Sequence, residues 1–437
     1  MWRGFWGRED GRLAHIEAHR NSAKKRWALN GGPFGSKLTT KDYAESGVPV
    51  IRGTNLSGGS RFVFEGFVWV SEEKADELLP NNAHPGDLVF TQRGTIGQVG
   101  LIPLHAPFKR FVISQSQMKL TPDAAKADAL FLYYFFSSPG TVKSIENLAF
   151  AAGVPHINLD ILRNFEVPLP PLPIQRRIAG ILSAYDELIE NSQRRIKILE
   201  AMARALYREW FVHFRFPGHE SVPRVPSPLG DIPQGWEVLT VADAFVITGG
   251  GTPSRKEDEF WEGGTIQWYS PSDLTGAGTM FMDDSGDHIT ERGLAQSSAR
   301  MFPARSVMLT SRATIGAIAI NTQPACTNQG FITCLPNERV PLYSLYHWVN
   351  ENVPTFQRMA SGATFKEISR GVFKTIEFLQ PPDELLGRFE AAAAPMAEQI
   401  LALQRQIQNL RRTRDLVLPR LLSGQIDVAN LPEPVAA

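Results

Sequence analysis

The chain has 437 residues, 43% of them hydrophobic and 21% charged, and its 45 basic residues balance its 45 acidic ones. This length exceeds what one hydrophobic core organises and predicts several globular domains. The longest apolar run, residues 129–136, is far too short to cross a membrane. Two cysteines exclude a disulfide framework and a four-cysteine zinc site, so we expect a cytoplasmic protein without a metal.

The first predicted domain, residues 1–168, contains short apolar stretches separated by glycine-rich or polar turns. An aromatic-rich stretch near its end is typical of an amphipathic helix. In chain order the stretches are GPFGSK (32–37), PVIRGTNL (49–56), TQRGTIG (91–97), LFLYYFF (130–136) and AAGVPHINLDIL (151–162).

A long central helix is predicted within the next segment, residues 169–216. This segment opens on the proline-rich PLPPLP, and apolar residues then recur mostly at spacings of 3, 4 and 7, which predicts a helix over 174–210 with a seam of coiled-coil type.

The second predicted domain, residues 217–380, repeats the pattern of the first in the same order. Chance does not explain so many matches in one order, so one module is used twice. The matching stretches are GGTPSR (250–255), QWYSPSDL (267–274), TSRATIG (310–316), LYSLYHWV (342–349) and ASGATFKEISRGVF (360–373).

A distal helix is predicted over 383–422, within the segment 381–428, and residues 429–437 form a tail. Each long helix has a broad apolar stripe, which is buried most simply when the two helices pair antiparallel. We therefore predict an α+β protein in which two repeated α/β domains are joined by two antiparallel coiled-coil helices with internal pseudo-twofold symmetry. The predicted seam residues are Ile181, Leu188, Leu199, Met202, Met396, Ile400, Leu403, Ile407 and Leu410.

Motifs of catalysis are missing from the sequence. It has no G-x-x-x-x-G-K-[ST] phosphate loop, no G-x-G-x-x-G dinucleotide motif and no H-E-x-x-H metal motif. It also lacks the [DN]-P-P-[FYW] tetrapeptide of enzymes that methylate base amino groups. We therefore predict a chain without catalytic residues and without a cofactor of its own.

These motifs resemble the specificity (S) subunit of type I restriction–modification systems. Residues 32–56 look like the opening of a target recognition domain, and residues 232–238, 249–254 and 266–274 look like the opening of a second one. Two further segments look like the ends of the family's two conserved helical regions. They are PPLPIQRRIAGIL (170–182) and LVLPRLLSGQID (416–427). The resemblance extends over most of residues 30–428.

The resemblance implies a DNA-recognition function. Each target recognition domain would read one half of a split target in double-stranded DNA, and the helices would set the gap. The helices would also dock two methylation (M) subunits, giving a unit of two M subunits and one S subunit, and restriction (R) subunits would join it. S-adenosylmethionine, ATP and Mg would belong to these partner subunits, in a system of phage defence.

The start of the chain departs from the family pattern. In the second domain Ser254 follows Trp236 by 18 positions, whereas in the first Ser36 follows Trp27 by nine. Residues 1–31 are thus an atypical opening, which indicates either a displaced start or the loss of an edge element.

The candidate DNA contacts lie in the polar turns that both domains share. Arg93 and Arg312 suit guanine edges or phosphate, although an arginine can also anchor a turn. Asn55, Asp273 and their polar neighbours could read bases or cap turns. The candidates are Ser36, Lys37, Arg52, Asn55, Gln92, Arg93, Thr95, Ser254, Arg255, Asp273, Ser311, Arg312, Thr314, Asn328, Gln329 and Lys366.

Other interpretations stay open at this point. The neutral charge and the acidic second domain, with 12 Lys/Arg against 17 Asp/Glu in 217–380, argue weakly against nucleic acid as a partner. One alternative is the specificity subunit of another restriction class with a fused nuclease–methylase partner. Another is a coiled-coil scaffold that does not bind DNA, but a scaffold does not require polar glycine-rich loops at matched places.

Overall fold

The structure is a computed structural model, and it describes residues 15–17, 27–56, 60–151, 156–362, 366–429 and 431. The chain divides into two compact units. Unit 1 consists of residues 1–191 and 408–437, and unit 2 consists of residues 192–407. Among the described residues, no helix combines the length and hydropathy that a membrane span requires.

Unit 1 contains two main β-sheets, a third, two-stranded sheet and several helices. Its strands are β1 (His15–Glu17), β2 (Leu29–Gly31), β3 (Tyr43–Ala44), β4 (Val48–Ile51), β5 (Val68–Val70), β6 (Asn82–Ala83), β7 (Leu88–Thr91), β8 (Val99–Leu101), β9 (Phe111–Ile113), β10 (Gln117–Leu120) and β11 (Glu166–Pro168). Its helices are α1 (Glu72–Glu77), α2 (Ala129–Ser137), α3 (Pro139–Ala151), α4 (Leu159–Arg163) and the first part of α5 (Leu172–Tyr207). One sheet has the order β2-β10-β7-β8 and the other β3-β5-β4-β9-β6.

Unit 2 contains the same kinds of element. Its strands are β12 (Arg224–Ser227), β13 (Gly230–Pro233), β14 (Glu237–Thr240), β15 (Val246–Gly249), β16 (Ile266–Tyr269), β17 (Phe281–Met282), β18 (Asp287–Ile289), β19 (Val307–Thr310), β20 (Ile318–Asn321), β21 (Ala325–Thr327), β22 (Phe331–Leu335) and β23 (Glu377–Gln380). Besides the rest of α5, its helices are α6 (Val241–Ala244), α7 (Pro271–Ala277), α8 (Glu291–Ala295), α9 (Leu342–Glu351), α10 (Val353–Met359), α11 (Arg370–Lys374) and most of α12 (Asp383–Leu422). Its main sheets have the orders β15-β22-β19-β20-β17 and β18-β16-β21.

The two units repeat one strand topology. The antiparallel set β2-β10-β7-β8 of unit 1 corresponds to β15-β22-β19-β20 of unit 2. A parallel pair follows the same scheme, because β4 pairs with β9 and β16 pairs with β21. The sequence prediction that one module occurs twice is therefore confirmed.

An edge strand is present at the start of unit 1. Strand β1 pairs antiparallel with β11, as β14 pairs with β23 in unit 2. The suggestion that the first domain has lost this element is therefore wrong. The sequence did not reveal it because the strand has three residues within a polar, Arg-rich segment, and its pairing depends on backbone hydrogen bonds. The other residues before Trp27 lie outside the described part of the chain.

The long helices run antiparallel within each unit, as predicted. In unit 1 the buried Ile178 and Leu182 of α5 share a core with Leu418 and Leu421 of α12. In unit 2 the ring of Tyr207 lies 5.6 Å from that of Phe389. Within unit 1, Arg177 donates to the carbonyl oxygen of Val428 (3.3 Å) and Asp186 accepts from Arg414 (2.6 Å), so residue numbers rise on α5 as they fall on α12. The observed bounds of both helices agree closely with the predicted ones.

The seam differs from the prediction at two positions. Leu188 and Met202 are each 50% exposed, whereas Leu182, Ile189 and Ala203 are buried. Leu188 and Met202 directly precede the buried Ile189 and Ala203, and at 3.6 residues per turn successive side chains point about 100° apart, so the predicted row lies beside the buried face. The remaining predictions agree better with the structure. Ile400, Leu403 and Ile407 are buried, and Ile181, Leu199, Met396 and Leu410 are partly buried.

Unit 1 contains a buried polar triad between α2 and the long helices. The hydroxyl of Tyr134 donates to Asp186 (2.6 Å), and the guanidinium of Arg414 donates to the other oxygen of the same carboxylate (2.6 Å). The Asp186 and Arg414 side chains are 7% and 21% exposed. Burial raises the pKa of Tyr134, and the neighbouring carboxylate raises it further. The triad thus ties a helix of the globular part to both long helices.

The equivalent position in unit 2 contains smaller side chains and a cavity. Buried positions on α5 recur 211 residues later on α12, as for Ile178 and Phe389 or Ile189 and Ile400. By this correspondence, Asp186 is replaced by Ala397. The same offset relates the last part of α5 to that of α12, so Arg414 is replaced by Ala203.

The tyrosine of the triad is replaced as well. Tyr134 and His347 are both the sixth residue of their helices, α2 and α9. His347 and the two alanines, Ala203 and Ala397, line a cavity of about 180 Å³. Burial lowers the pKa of His347 to about 4. The other aromatic residues of α2 and α9 form core, with Phe131, Phe135 and Tyr343 buried and Tyr346 partly buried.

Candidate nucleic-acid interface

The polar turns of unit 2 converge on one cluster of loops, called loop cluster 2. It consists of residues 250–255, 270–273, 311–316, 328–330, 361–362 and 366–368. The backbone N–H of Ser311 donates to the carbonyl oxygen of Gly330 (2.8 Å), and that of Ala313 donates to Lys366 (3.1 Å). The Thr252 hydroxyl donates to the side chain of Gln329 (2.7 Å). Turns that are far apart in the sequence therefore lie side by side.

Unit 1 contains the equivalent loop cluster 1, which consists of residues 32–38, 52–55, 92–97 and 114–117. The backbone N–H of Gln92 donates to the carbonyl oxygen of Ser116 (2.7 Å), matching the bond of Ser311 in unit 2. The side chain of Gln115 donates to the carbonyl oxygen of Leu38 (3.1 Å). The candidates predicted from each half of the sequence are thus brought together within their own unit.

A repeated turn presents Arg93 in loop cluster 1 and Arg312 in loop cluster 2. Each arginine is exposed, and the next residue, Gly94 or Ala313, has a left-handed φ of 98° or 60°. An alanine rarely adopts this conformation. Unit 2 therefore keeps the turn of unit 1 without the glycine that most readily allows it.

A glycine closes each of these turns against a valine. Gly97 and Gly316 have φ values of 89° and 108°. A Cβ added at either glycine would lie 2.5 Å from a methyl carbon of Val142 or Val353, respectively. The glycine of T-I-G is thus required by backbone conformation and by close packing, in both units alike.

Two of the predicted DNA contacts are buried beside the arginines. Gln92 and Ser311 are 7% and 2% exposed. Their backbones are held on both sides, because Gln92 also accepts from Ile157 (3.1 Å) and Ser311 from Ile368 (3.0 Å). Both side chains are covered by protein, which does not favour their prediction as DNA contacts.

Asn55 and Asp273 each cap a turn through their side chains. The Asn55 side chain is fully buried and accepts from the backbone N–H of Arg52 (2.9 Å). Asp273 accepts from the backbone N–H of Ser270 (2.7 Å) in the same way, and its second oxygen accepts from Gly286 (3.0 Å). The capping that the sequence offered as one alternative is therefore observed at both positions. Arg52 is partly buried and donates to Gly66 (2.6 Å).

Arg255 is exposed but held by two neighbours. Its guanidinium lies 3.6 Å from the ring centroid of Trp261 and donates to Asp287 (2.6 Å). The sequence analysis did not identify Trp261, whose stacking partner is six residues away across a turn. Next to Arg255, Ser254 is exposed. The equivalent Ser36 and Lys37 of unit 1 are exposed in a short 3-10 turn, Gly35–Lys37.

The remaining candidates lie at or near the surface. Thr95, Thr314, Gln329 and Lys366 are exposed, and Asn328 is partly exposed. Gln115 is also exposed, and the sequence analysis missed it. Gln115 directly precedes Ser116, whose carbonyl oxygen accepts from Gln92. In the same way, Gln329 precedes Gly330, whose carbonyl oxygen accepts from Ser311. An alignment of the two halves that pairs Ser114-Gln115 with Asn328-Gln329 would have revealed it.

Comparison with known proteins agrees with this architecture. Over 398 residues the chain is 23% identical to the MjaIX specificity subunit of Methanocaldococcus jannaschii, covering 90% of this chain and 89% of that one. It is also 23% identical to the HindI specificity subunit of Haemophilus influenzae, over 72% of this chain and 81% of that one. A crystal structure of a type I restriction–modification S subunit from M. genitalium matches the fold with a TM-score of 0.56 at 18% identity, over 94% and 97% of the two chains.

The match to a protein family covers well over half of the chain and occurs once per half. Residues 34–201 and 233–385 each match the domain described as the type I restriction modification DNA specificity domain. This match does not favour a scaffold unrelated to DNA. The chain belongs to the family of type I restriction–modification specificity subunits.

Proposed function

We propose that each loop cluster reads one half of a split target in double-stranded DNA. The observation that carries this proposal is the twofold construction of the cluster, with Arg93 and Arg312 exposed at the same place in the repeated fold. Arginine and short hydroxyl side chains suit both phosphate oxygens and base edges in the major groove. The differences between the clusters then allow the two halves of the target to differ.

The chain itself would perform no bond-making step. Two methylation subunits would dock on its long helices in the cytoplasm, and restriction subunits would join this assembly. The S-adenosylmethionine, ATP and Mg would be held by these partner subunits. Exposed apolar side chains support docking on α5, because Leu188 of unit 1 and Ile198 and Met202 of unit 2 are each about half exposed. The helices would also set the gap between the two half-sites.

Sequencing the methylated bases of the host DNA tests this function. Deleting the gene should abolish methylation at one split motif, and restoring it should restore that motif. Replacing residues 217–380 by the corresponding segment of a relative should change only one half of the motif. The purified chain alone should transfer no methyl group to DNA. Methyl transfer by a rigorously pure chain, or a change in both halves of the motif, would contradict the proposal.

A further inference from the structure

The repeated turn points to a division of labour within the loop clusters. We propose that Arg93 and Arg312, with Thr95 and Thr314 beside them, bind backbone phosphates of the two half-sites and carry no base specificity. This inference rests on the proposed function and assigns a ligand group to these residues.

Both arginines are presented in the same geometry. Each follows a buried residue whose backbone is bonded on both sides, and each precedes a residue with a left-handed φ. The closing glycines, Gly97 and Gly316, are fixed against a valine. The arginines and the threonines two positions later are exposed in both units. Unit 2 retains this geometry even though Ala313 replaces the glycine.

Several other positions of the two clusters differ, whereas Ser36 and Ser254, and Gln115 and Gln329, are shared and exposed. Lys37 of unit 1 lies in a short 3-10 turn, whereas the equivalent Arg255 of unit 2 is stacked on Trp261. Ser114 of unit 1 corresponds to Asn328 of unit 2, since their backbones donate to Ile51 and Tyr269 at matching strand ends. Two clusters with different side chains are expected to read different bases. What any two half-sites share is the sugar–phosphate backbone, so the identical residues fit that shared part.

The two guanidinium groups are available to bind a phosphate. Among the described residues, the side chain of Arg93 has no hydrogen-bond or ion-pair partner. Arg312 has one long contact, 3.8 Å to Glu367, and both of these side chains are more than 40% exposed. An exposed pair of this kind contributes little and is readily replaced by a phosphate. By contrast, Arg52 and Arg255 are engaged within the protein.

The experiment uses the chain assembled with its methylation subunits and a DNA duplex containing the methylated motif. Binding is measured by fluorescence anisotropy over a range of salt concentrations, for wild type, Arg93→Ala, Arg312→Ala and Arg312→Lys. Arg339→Ala is the matched control, because Arg339 is an exposed, ion-paired arginine of unit 2 outside the loop cluster. Thermal unfolding confirms that each variant is folded. The methylated motif of each variant is determined by sequencing host DNA.

The expected result is a weaker affinity for both alanine variants, with the slope of log K against log salt reduced by about 1 for each. Arg312→Lys should recover most of the affinity, because a phosphate accepts a point charge, whereas a bidentate contact to guanine requires the arginine fork. The methylated motif should stay the same in every variant, and the control should bind as wild type does.

Three results would overturn the inference while leaving the proposed function intact. They are a relaxed or altered motif in Arg93→Ala or Arg312→Ala, an unchanged salt slope, and a failure of Arg312→Lys to recover affinity in a folded complex. A different result would reject the proposed function itself. In that case the wild-type complex would not distinguish its motif from scrambled DNA.

Discussion

The buried triad of unit 1 predicts strong energetic coupling between Asp186 and Arg414. Asp186→Ala would leave the guanidinium of Arg414 with its exposed neighbour Asp415 only, and it would remove the acceptor of the Tyr134 hydroxyl. Arg414→Ala would leave a carboxylate that is 7% exposed with a tyrosine as its hydrogen-bond donor. Each single substitution therefore leaves a buried charged or polar group without its partner.

The magnitudes follow from the burial of the pair. Breaking a buried ion pair costs about 3–5 kcal/mol. Because Arg414 is 21% exposed, we expect each single substitution to lower the free energy of unfolding by about 3 kcal/mol. Removing both charges leaves no unpaired charge but creates a cavity. The equivalent cavity of unit 2, about 180 Å³, gives an upper limit for the volume of this cavity. At about 24 cal/mol per Å³, the cavity would cost at most about 4 kcal/mol. The double variant should therefore cost about 2 kcal/mol less than the sum of the singles.

Native-state hydrogen exchange of peptides from α2 measures this coupling locally, which avoids assuming that the two units unfold together. Peptides of unit 2 are the internal control and should be unaffected. Additivity of the two substitutions within about 0.5 kcal/mol would refute the reasoning, because it would mean that the pair contributes no net interaction.

Three further predictions concern glycine geometry, the helix seam and a buried histidine. Gly316→Ala should destabilise unit 2 by more than about 1 kcal/mol, because it combines a left-handed φ with a clash, whereas Gly276→Ala in open space within α7 should stabilise it slightly; thermal unfolding compares the two. Leu182→Ala should cost about 2–5 kcal/mol and Leu188→Ala less than about 1 kcal/mol, and equal losses in urea unfolding would contradict the observed seam. The pKa of His347 is about 4 in the folded protein and about 6.5 in the unfolded chain. The free energy of unfolding of unit 2 should therefore decrease by up to about 3 kcal/mol as pH falls from about 6.5 to about 4. Hydrogen exchange measured against pH should show a smaller decrease in His347→Phe.

The sequence alone predicted the repeated module and both long helices, since these depend on patterns that extend over many residues. The helical stripe of α12 required only apolar spacing, and the repeat required only that motifs recur in order. The turns around Arg93 and Arg312 were also predictable, because the glycine that follows each arginine four residues later marks a sharp change of backbone direction.

The side-chain roles within the turns required the structure. Gln92 and Arg93 are adjacent and polar in the sequence, yet one is buried and the other exposed. Asn55 has the chemistry of a base reader, but its amide completes hydrogen bonds within its own loop. Exposure depends on which neighbouring loop covers a residue, and local patterns do not specify that. The triad could not be predicted either, because Tyr134, Asp186 and Arg414 are far apart in the chain.

The comparison of the two units separates the residues that maintain the fold from those that can vary with the target. The capping bonds of Asn55 and Asp273 recur although one residue is an amide and the other an acid, so the turn is retained while its chemistry changes. The triad, by contrast, is replaced by a cavity without loss of the topology. Arg93 and Arg312 fit neither pattern, because they are identical, exposed and make no strong side-chain contact with the described part of the protein. A residue that the fold does not use, but that both units present in one geometry, is best explained by a ligand group common to both half-sites.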